Sequence, residues 1–407
     1  MSEKKIPLPK EITSGQFVTK EQSALIHNTG RNLFIGIPKE TAFQEKRVAL
    51  VPDSVRSLTG QGHRIVIEQG AGVGANYTDH LFSEAAGEIA HSHEQVFDSQ
   101  ILLKVAPISN SELDLLRPDQ VVISPLHLPT LNDGYIQKLV KKRIVALAWE
   151  YIQDADGSYP FVRVLSELAG IRTIQIAAGL LSGSDGGSGI LLGGISGVAP
   201  AKVVILGAGI VAEYAARAAI GMGAEVRIFD DNVYKLMRVK HNLNQSIFTS
   251  TMNPAILEKE LLDCDVAIGA IHSEDGRSPV IVSDQMVAKM KAGSVIMDVS
   301  IDQGGCFATS RLTTHHKPTF VEYDVIHYCV PNLPSAVPRT ASMAISNVLT
   351  PILQKIQEMG TIDGLLYNSP GLRHGVYTYK GCLTNAHLGR KFKMKSTNLD
   401  LLLTSNI

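Results

Sequence analysis

The stretch Val203-Val204-Ile205-Leu206-Gly207-Ala208-Gly209-Ile210-Val211-Ala212 constrains this chain more than any other, because it reads as a buried strand turning on glycine into a helix. In the pattern G-x-G-x-x-G/A, Gly207 permits the tight turn and Gly209 lets a pyrophosphate approach the backbone. Small Ala212 lets the helix lie close to the strand. Ala208, Ile210 and Val211 complete the cofactor-binding positions, since the start of the helix offers free N–H groups to phosphate oxygens. Twenty-three positions after Gly207 the next strand, EVRIF, ends at Asp230, and Asp231 adds a second negative charge. A carboxylate there accepts both ribose hydroxyls of NAD and repels the extra phosphate of NADP, so the expected cofactor is NAD.

The rest of the chain suits this unit. From Leu33 onward short apolar runs such as LFIGI, RIVIEQG, ILLKVA, QVVISP and IVALAW alternate with amphipathic stretches, the mark of a parallel α/β sheet. Apolar residues near helical spacing predict a long helix from Val162 to Leu181. The strand and helix alternation then restarts near residue 200. A last long helix is expected from Arg339 to Met359, with a kink or interruption at Pro351, and it belongs to no further strand. The expected fold class is α/β: two Rossmann-like doubly wound domains with a cleft between them, the first discontinuous. The expected boundaries are an N-terminal arm at 1–32, a substrate (catalytic) domain at 33–161 and 337–407, and an NAD(H)-binding domain at 162–336.

Composition narrows the function. A net charge of −1 leaves no global field for nucleic acid or an anionic membrane. The longest uncharged stretch, Gly186 to Ala201, is studded with glycine and holds Pro200, so no membrane span is expected. The N-terminal residues mix Lys with Glu and lack the apolar core of a secretory signal, which points to the cytoplasm. Four scattered cysteines (Cys264, Cys306, Cys329, Cys382) with no C-x-x-C pair read as free thiols, and no metal is expected.

Seven stretches in order resemble the alanine dehydrogenase family, a branch it shares with the nucleotide-binding subunit of proton-translocating transhydrogenases. They are Gly36-Ile37-Pro38-Lys39-Glu40-Thr41 with Arg47-Val48-Ala49, Leu103-Lys104-Val105, Leu126-His127-Leu128, Leu165-Ser166-Glu167-Leu168-Ala169-Gly170, the glycine turn, Ile301-Asp302-Gln303-Gly304-Gly305-Cys306-Phe307, and Tyr328-Cys329-Val330-Pro331-Asn332-Leu333-Pro334. The resemblance implies reversible oxidative deamination of L-alanine to pyruvate and ammonium with NAD, in a cleft between two Rossmann-like domains. It also implies a homohexamer.

It further implies roles that each have a physical reading. Arg47 can hold a small carboxylate in its planar fork, or sit in a surface salt bridge. His127 closes a strand at its C-terminal end and titrates near neutrality, which suits a proton donor or acceptor at the substrate. Asp302 is the cleft carboxylate that handles proton transfers and stabilises the cationic iminium, or merely caps a turn. Ser166 and Asn332 resemble polar contacts to NAD and its nicotinamide region. The other histidines, including the His315-His316 pair, read as solvated or structural.

Ala106 stands where the family carries a substrate-contacting lysine. Lys104 lies on the same strand face, about 6.6 Å away, and is the candidate substitute. The loop His272-Ser273-Glu274-Asp275-Gly276-Arg277-Ser278-Pro279 is longer than the family's turn and follows a strand on the cofactor side; it reads as a solvated loop, with His272 or Arg277 reaching the cleft as the alternative. Ala106 keeps two other readings open: an oxidoreductase for a different 2-oxo acid such as glyoxylate, and a non-catalytic NAD(H)-binding protein acting through partners.

Overall fold

A computed structural model describes residues 32–126, 131–183, 186–273 and 276–404. His127 and residues 1–31 of the expected arm lie outside the described residues.

Runs that are apolar at nearly every position form strands covered on both faces. In the first sheet these are β1 (Phe34–Ile37), β2 (Arg64–Glu68), β3 (Glu88–Ala90), β4 (Ile101–Leu103), β5 (Val121–Ser124) and β6 (Val145–Ala148), all parallel. The second sheet holds β7 (Lys202–Leu206), β8 (Glu225–Phe229), β9 (Phe248–Ser250), β10 (Val266–Gly269), β11 (Val295–Asp298), β12 (Thr319–Glu322) and β13 (Val325–Tyr328), with only β12 antiparallel. The chain then returns to the first sheet, where β14 (Val376–Tyr379) pairs antiparallel with β6 and β15 (Cys382–Leu383) with β14.

The orders are β15-β14-β6-β5-β4-β1-β2-β3 and β12-β13-β11-β10-β7-β8-β9. Each reverses once, beside β1 in the first sheet and beside β7 in the second. At such a reversal the flanking connections leave toward opposite faces, opening a crevice beyond the carboxyl ends of the strands. The loops after β1 and β4, and those after β7 and β10, therefore line the two places where a ligand can enter.

A bridging helix, Pro160–Ser182, joins the units, with proline at its first turn where no backbone donor is needed. It crosses the helix Ile210–Gly221 at Gly170, where an added Cβ would lie 2.5 Å from the Val211 carbonyl oxygen. By length and composition alone this helix of 23 residues also meets the requirement for a membrane span. Arg163, Glu167 and Arg172 are spaced among its apolar residues. In the fold, Ala169, Gly170, Thr173, Ile174, Ala177 and Leu181 are buried, Ala169, Ile174, Ala177 and Leu181 in the core of the second unit.

A closing helix, Pro338–Glu358, runs through Pro351, so of the expected kink or interruption the interruption is absent. Proline removes one helical hydrogen bond, at a cost of about 3 kcal/mol. Its neighbours Leu349, Ile352, Leu353 and Ile356 are buried in the core of the first sheet and hold the helix together across it. This helix also fixes the loop after β1: Val48 N–H donates to Ser342 Oγ at 2.9 Å and Val51 N–H to Ser346 Oγ at 3.1 Å.

Candidate active site

The glycine turn leaves β7 with Gly207 at φ 107°, a left-handed backbone, and an added Cβ there would sit 2.3 Å from the Ala270 carbonyl oxygen. Glycine is required on both counts. Above Gly209 a Cβ would meet nothing, and Gly209 caps the helix Ile210–Gly221 without using a side chain. Ala208 and Ala212 are fully buried, while Ile210 and Val211 are half-buried at the helix start. Gly207, Gly209, Asp230, Asp231, Lys235 and Ile271 line a cavity of about 190 Å³ beyond β7, β8 and β10. Asp230 accepts from Ala208 N–H at 2.7 Å and Asn232 N–H at 2.8 Å, which aims its carboxylate along the wall. An open glycine, a helix start and an acidic wall in one crevice fit the pyrophosphate and ribose of a dinucleotide.

The loop after β1 brings Arg47 and Glu45 together, both nearly buried. Arg47 Nε lies 2.7 Å from Glu45 Oε1 and Nη2 lies 2.6 Å from Oε2, a two-point pair. Burial pushes the Glu45 carboxyl up, but the bonds and charge of Arg47, with Asn332, hold it below the usual range. The pair leaves the Nη1 end of the fork, and the second hydrogen on Nη2, unused by Glu45. Asn332 Nδ2 donates to Glu45 Oε2 at 3.1 Å, and Asn332 N–H donates to Asp302 Oδ1 at 3.0 Å. Arg47, Glu45, Asn332 and Asp302 thus form one chain of contacts across the cleft.

Asp302 is exposed on the short turn Val299–Gln303 that follows β11. Asp298, buried at the end of that strand, folds the turn. It accepts from Ser300 N–H at 3.0 Å, Cys306 N–H at 2.9 Å and Ser310 Oγ at 2.7 Å, while burial raises its carboxyl above the ordinary range. Gln303 accepts from Ser273 N–H at 2.9 Å and donates to the Ser273 carbonyl at 3.0 Å. Ser273, in the loop read as solvated or reaching the cleft, is therefore tied to the Asp302 turn. Ser166 lies half-buried on the bridging helix, one turn before Gly170.

Lys104 is not where the substitute for the missing lysine would be needed. Its ammonium is 1% exposed and lies 2.8 Å from both Glu40 Oε2 and Glu112 Oε1. Two carboxylates outweigh the burial and keep it protonated. The physical reason is convergence from other elements: Glu40 enters from the loop after β1 and also accepts from Val105 N–H at 2.6 Å. Glu112 comes from a helix whose capping box has Ser109 N–H donating to its Oε2. The Ser109-x-x-Glu112 spacing signals the capping box and carries no signal that Glu112 also meets Lys104. The cluster continues to His93, whose Nδ1 lies 2.6 Å from Glu68 Oε2 and Nε2 3.3 Å from Glu112 Oε1. Those two carboxylates push His93 up to about 9, and Glu112 is held down at about 2, against its own burial, by His93 and Lys104.

Sequence reasoning missed Glu45 and His315. The first lies two residues before Arg47 and carried no separate signal. The backbone N–H of His315 donates to Gln44 Oε1 at 3.1 Å, and its ring Nε2 lies 2.9 Å from Ser335 Oγ. Among the described residues no cluster of three or more histidine, cysteine or acidic side chains could hold a metal ion.

Two doubly wound units, a glycine turn with an acidic ribose wall, and a cleft bridged by arginine and carboxylates define a dinucleotide-binding protein of the two-domain α/β class. The family models described as "Alanine dehydrogenase/PNT, N-terminal domain" and "Alanine dehydrogenase/PNT, C-terminal domain" match residues 36–169 and 173–386. Alanine dehydrogenase of Mycolicibacterium smegmatis is 38% identical over 367 residues, covering 90% of this chain and 98% of that protein. Alanine dehydrogenase of Methanococcus maripaludis is 39% identical over 354 residues, covering 86% and 94%. A solved L-alanine dehydrogenase superposes with a TM-score of 0.83 at 36% identity, covering 88% of this chain and 99% of that one. A transhydrogenase from Sinorhizobium meliloti, at 21% identity and a TM-score of 0.74 over 87% of this chain, shares the fold. The chain belongs to the alanine dehydrogenase/PNT family.

Proposed function

We propose that this chain is an NAD-dependent alanine dehydrogenase, converting L-alanine and water to pyruvate and ammonium and running the reverse reaction as well. The observation that carries the reading is the chain of contacts Arg47–Glu45–Asn332–Asp302, which joins a carboxylate-binding fork on one unit to an exposed carboxylate on the other. Bound NAD supplies the hydride acceptor, and Gly207, Ala208, Gly209, Ile210, Val211, Ala212, Asp230, Ser166 and Asn332 are the residues that would hold it.

In this reading Arg47 holds the substrate carboxylate through the end of its fork that Glu45 leaves open. That contact fixes the substrate while Glu45 fixes the arginine, so the reacting carbon is placed without searching. Asp302 opposes the positive charge that develops on the nitrogen and takes protons from water and ammonium. His127 is the proton donor and acceptor at the substrate oxygen or nitrogen. The proposed bounds of the units are 33–161 and 337–407 for the substrate domain and 162–336 for the cofactor domain.

We extend the reading to a homohexamer in the cytoplasm. Supporting assembly, the hairpin bridged between Ile195 and Val198 exposes three apolar side chains, Leu191 at 59%, Ile195 at 67% and Val198 at 60%. The burial of Lys104 favours a second reading, in which a different small 2-oxo acid is used, because no cation from that strand reaches the cleft. Incubation with L-alanine and NAD, beside glycine and L-serine, separates the two. Pyruvate and NADH formed in equal amounts from alanine support the first; preferential turnover of glycine supports the second.

A further inference from the structure

His315 touches both sides of the cleft. Its backbone N–H holds Gln44, in the loop that carries Glu45 and Arg47, across 271 positions of sequence. Gln44 sits at φ 61°, a backbone that a side-chain-bearing residue adopts rarely and only when its surroundings hold it. The imidazole Nε2, at the other end, lies 2.9 Å from Ser335 Oγ. Ser335 closes the turn that begins at Asn332, its N–H donating to the Asn332 carbonyl at 2.9 Å, and Asn332 is itself left-handed at φ 53°. That turn is what presents the Asn332 N–H to Asp302 and its Nδ2 to Glu45.

The segment carrying His315 is anchored independently to the second unit. Thr313 N–H donates to the Cys329 carbonyl at 3.1 Å, and Cys329 N–H returns to Thr313 Oγ1 at 3.2 Å. Burial lowers the imidazole pKa, with Lys46, His316 and Arg172 acting in the same direction and Glu45 against them. The shift favours the neutral form of the ring.

We infer that His315 is a positioning residue that sets the register between the Arg47 fork on one unit and the Asp302 turn on the other, by tying the Gln44 loop to the Asn332–Ser335 turn. A 2-oxo acid bound in the cleft then meets its carboxylate contact and its proton-handling carboxylate at one fixed spacing. The kinetic consequence rests on the proposed alanine dehydrogenase reading; the brace itself does not.

The test compares His315→Ala, Ser335→Ala and His315→Gln, whose amide nitrogen can reach the position of the ring Nε2. The readouts are pyruvate KM, kcat, NADH Kd, and amide hydrogen exchange over residues 41–47 and 332–336. His315→Ala and Ser335→Ala keep the backbone contact to Gln44 and remove the ring contact to Ser335, and are expected to raise pyruvate KM roughly tenfold and to speed exchange over 332–336, with NADH Kd within about twofold and His315→Gln restoring both to within about threefold. Unchanged KM and exchange in His315→Ala would overturn the inference. So would a parallel loss of NADH binding and melting temperature that His315→Gln fails to rescue, because that pattern marks a merely structural residue. If the wild-type protein reduces no 2-oxo acid, the enzymatic reading fails, and the exchange data still decide the brace.

Discussion

At Arg47 two of the five guanidinium N–H groups are engaged by Glu45, so the fork proposed for the substrate carboxylate is already held in place. Asp302, by contrast, is exposed and accepts from the backbone N–H of Asn332, and is the carboxylate proposed to handle the protons. Asp302→Asn should lower turnover by a factor on the order of 10² to 10⁴ while NADH binding stays within a few fold, read from steady-state rates and fluorescence titration. His93 makes a pH-dependent contribution to stability. Its proton is held more tightly in the folded chain, at about 9 against an ordinary 6.5, so its stabilisation is complete below pH 6.5 and is lost as pH rises through about 9. The melting temperature of the wild type should fall across that window, and His93→Gln should flatten the fall; equal slopes in the two proteins would remove the assignment. Arg47 and Asp302 could be singled out from sequence because each sits in a short recognisable stretch. The partners of Lys104 and His315 could not, since spacing places a side chain on a face and says nothing of what converges there from other elements.

The closing helix Pro338–Glu358 acts as a clamp on the loop after β1. Ser346 Oγ accepts from Val51 N–H and donates to Ser54 Oγ at 2.7 Å, all in a buried setting. Ser346→Ala leaves that N–H and a hydroxyl without a partner, which should lower unfolding free energy by about 1–3 kcal/mol in a denaturant titration. Because the same helix holds Val48, next to Arg47, through Ser342, pyruvate KM should rise in Ser342→Ala while NADH affinity holds. Strand and helix positions were legible because burial imposes a local period; the bridging helix is expected at Val162–Leu181 and observed at Pro160–Ser182. An interruption at Pro351 was one outcome of local chemistry alone, and tertiary packing of Leu349, Ile352 and Leu353 keeps the helix continuous there.

Across the whole molecule, two sheets with one order reversal each place their ligand crevices so that the loops after β1 and the turn after β11 meet. The strand alternation and the glycine turn made this two-unit plan readable, and the return of the last segment to the first sheet followed from a helix left without a strand. The contacts that join the units were beyond reach, because Glu45 and Asn332 are 287 positions apart and no local rule pairs them. Light scattering of the purified protein should give six subunits; a monomer would remove the hexamer proposal and leave the hairpin at Ile195 and Val198 exposed. The most direct measurement is NADH consumption by the wild-type protein with pyruvate, with and without ammonium, beside glyoxylate and 2-oxobutyrate. Rapid consumption that requires both pyruvate and ammonium is the expected result. NADH binding with no consumption for any of these oxo acids would contradict the assignment of alanine dehydrogenase chemistry to this cleft.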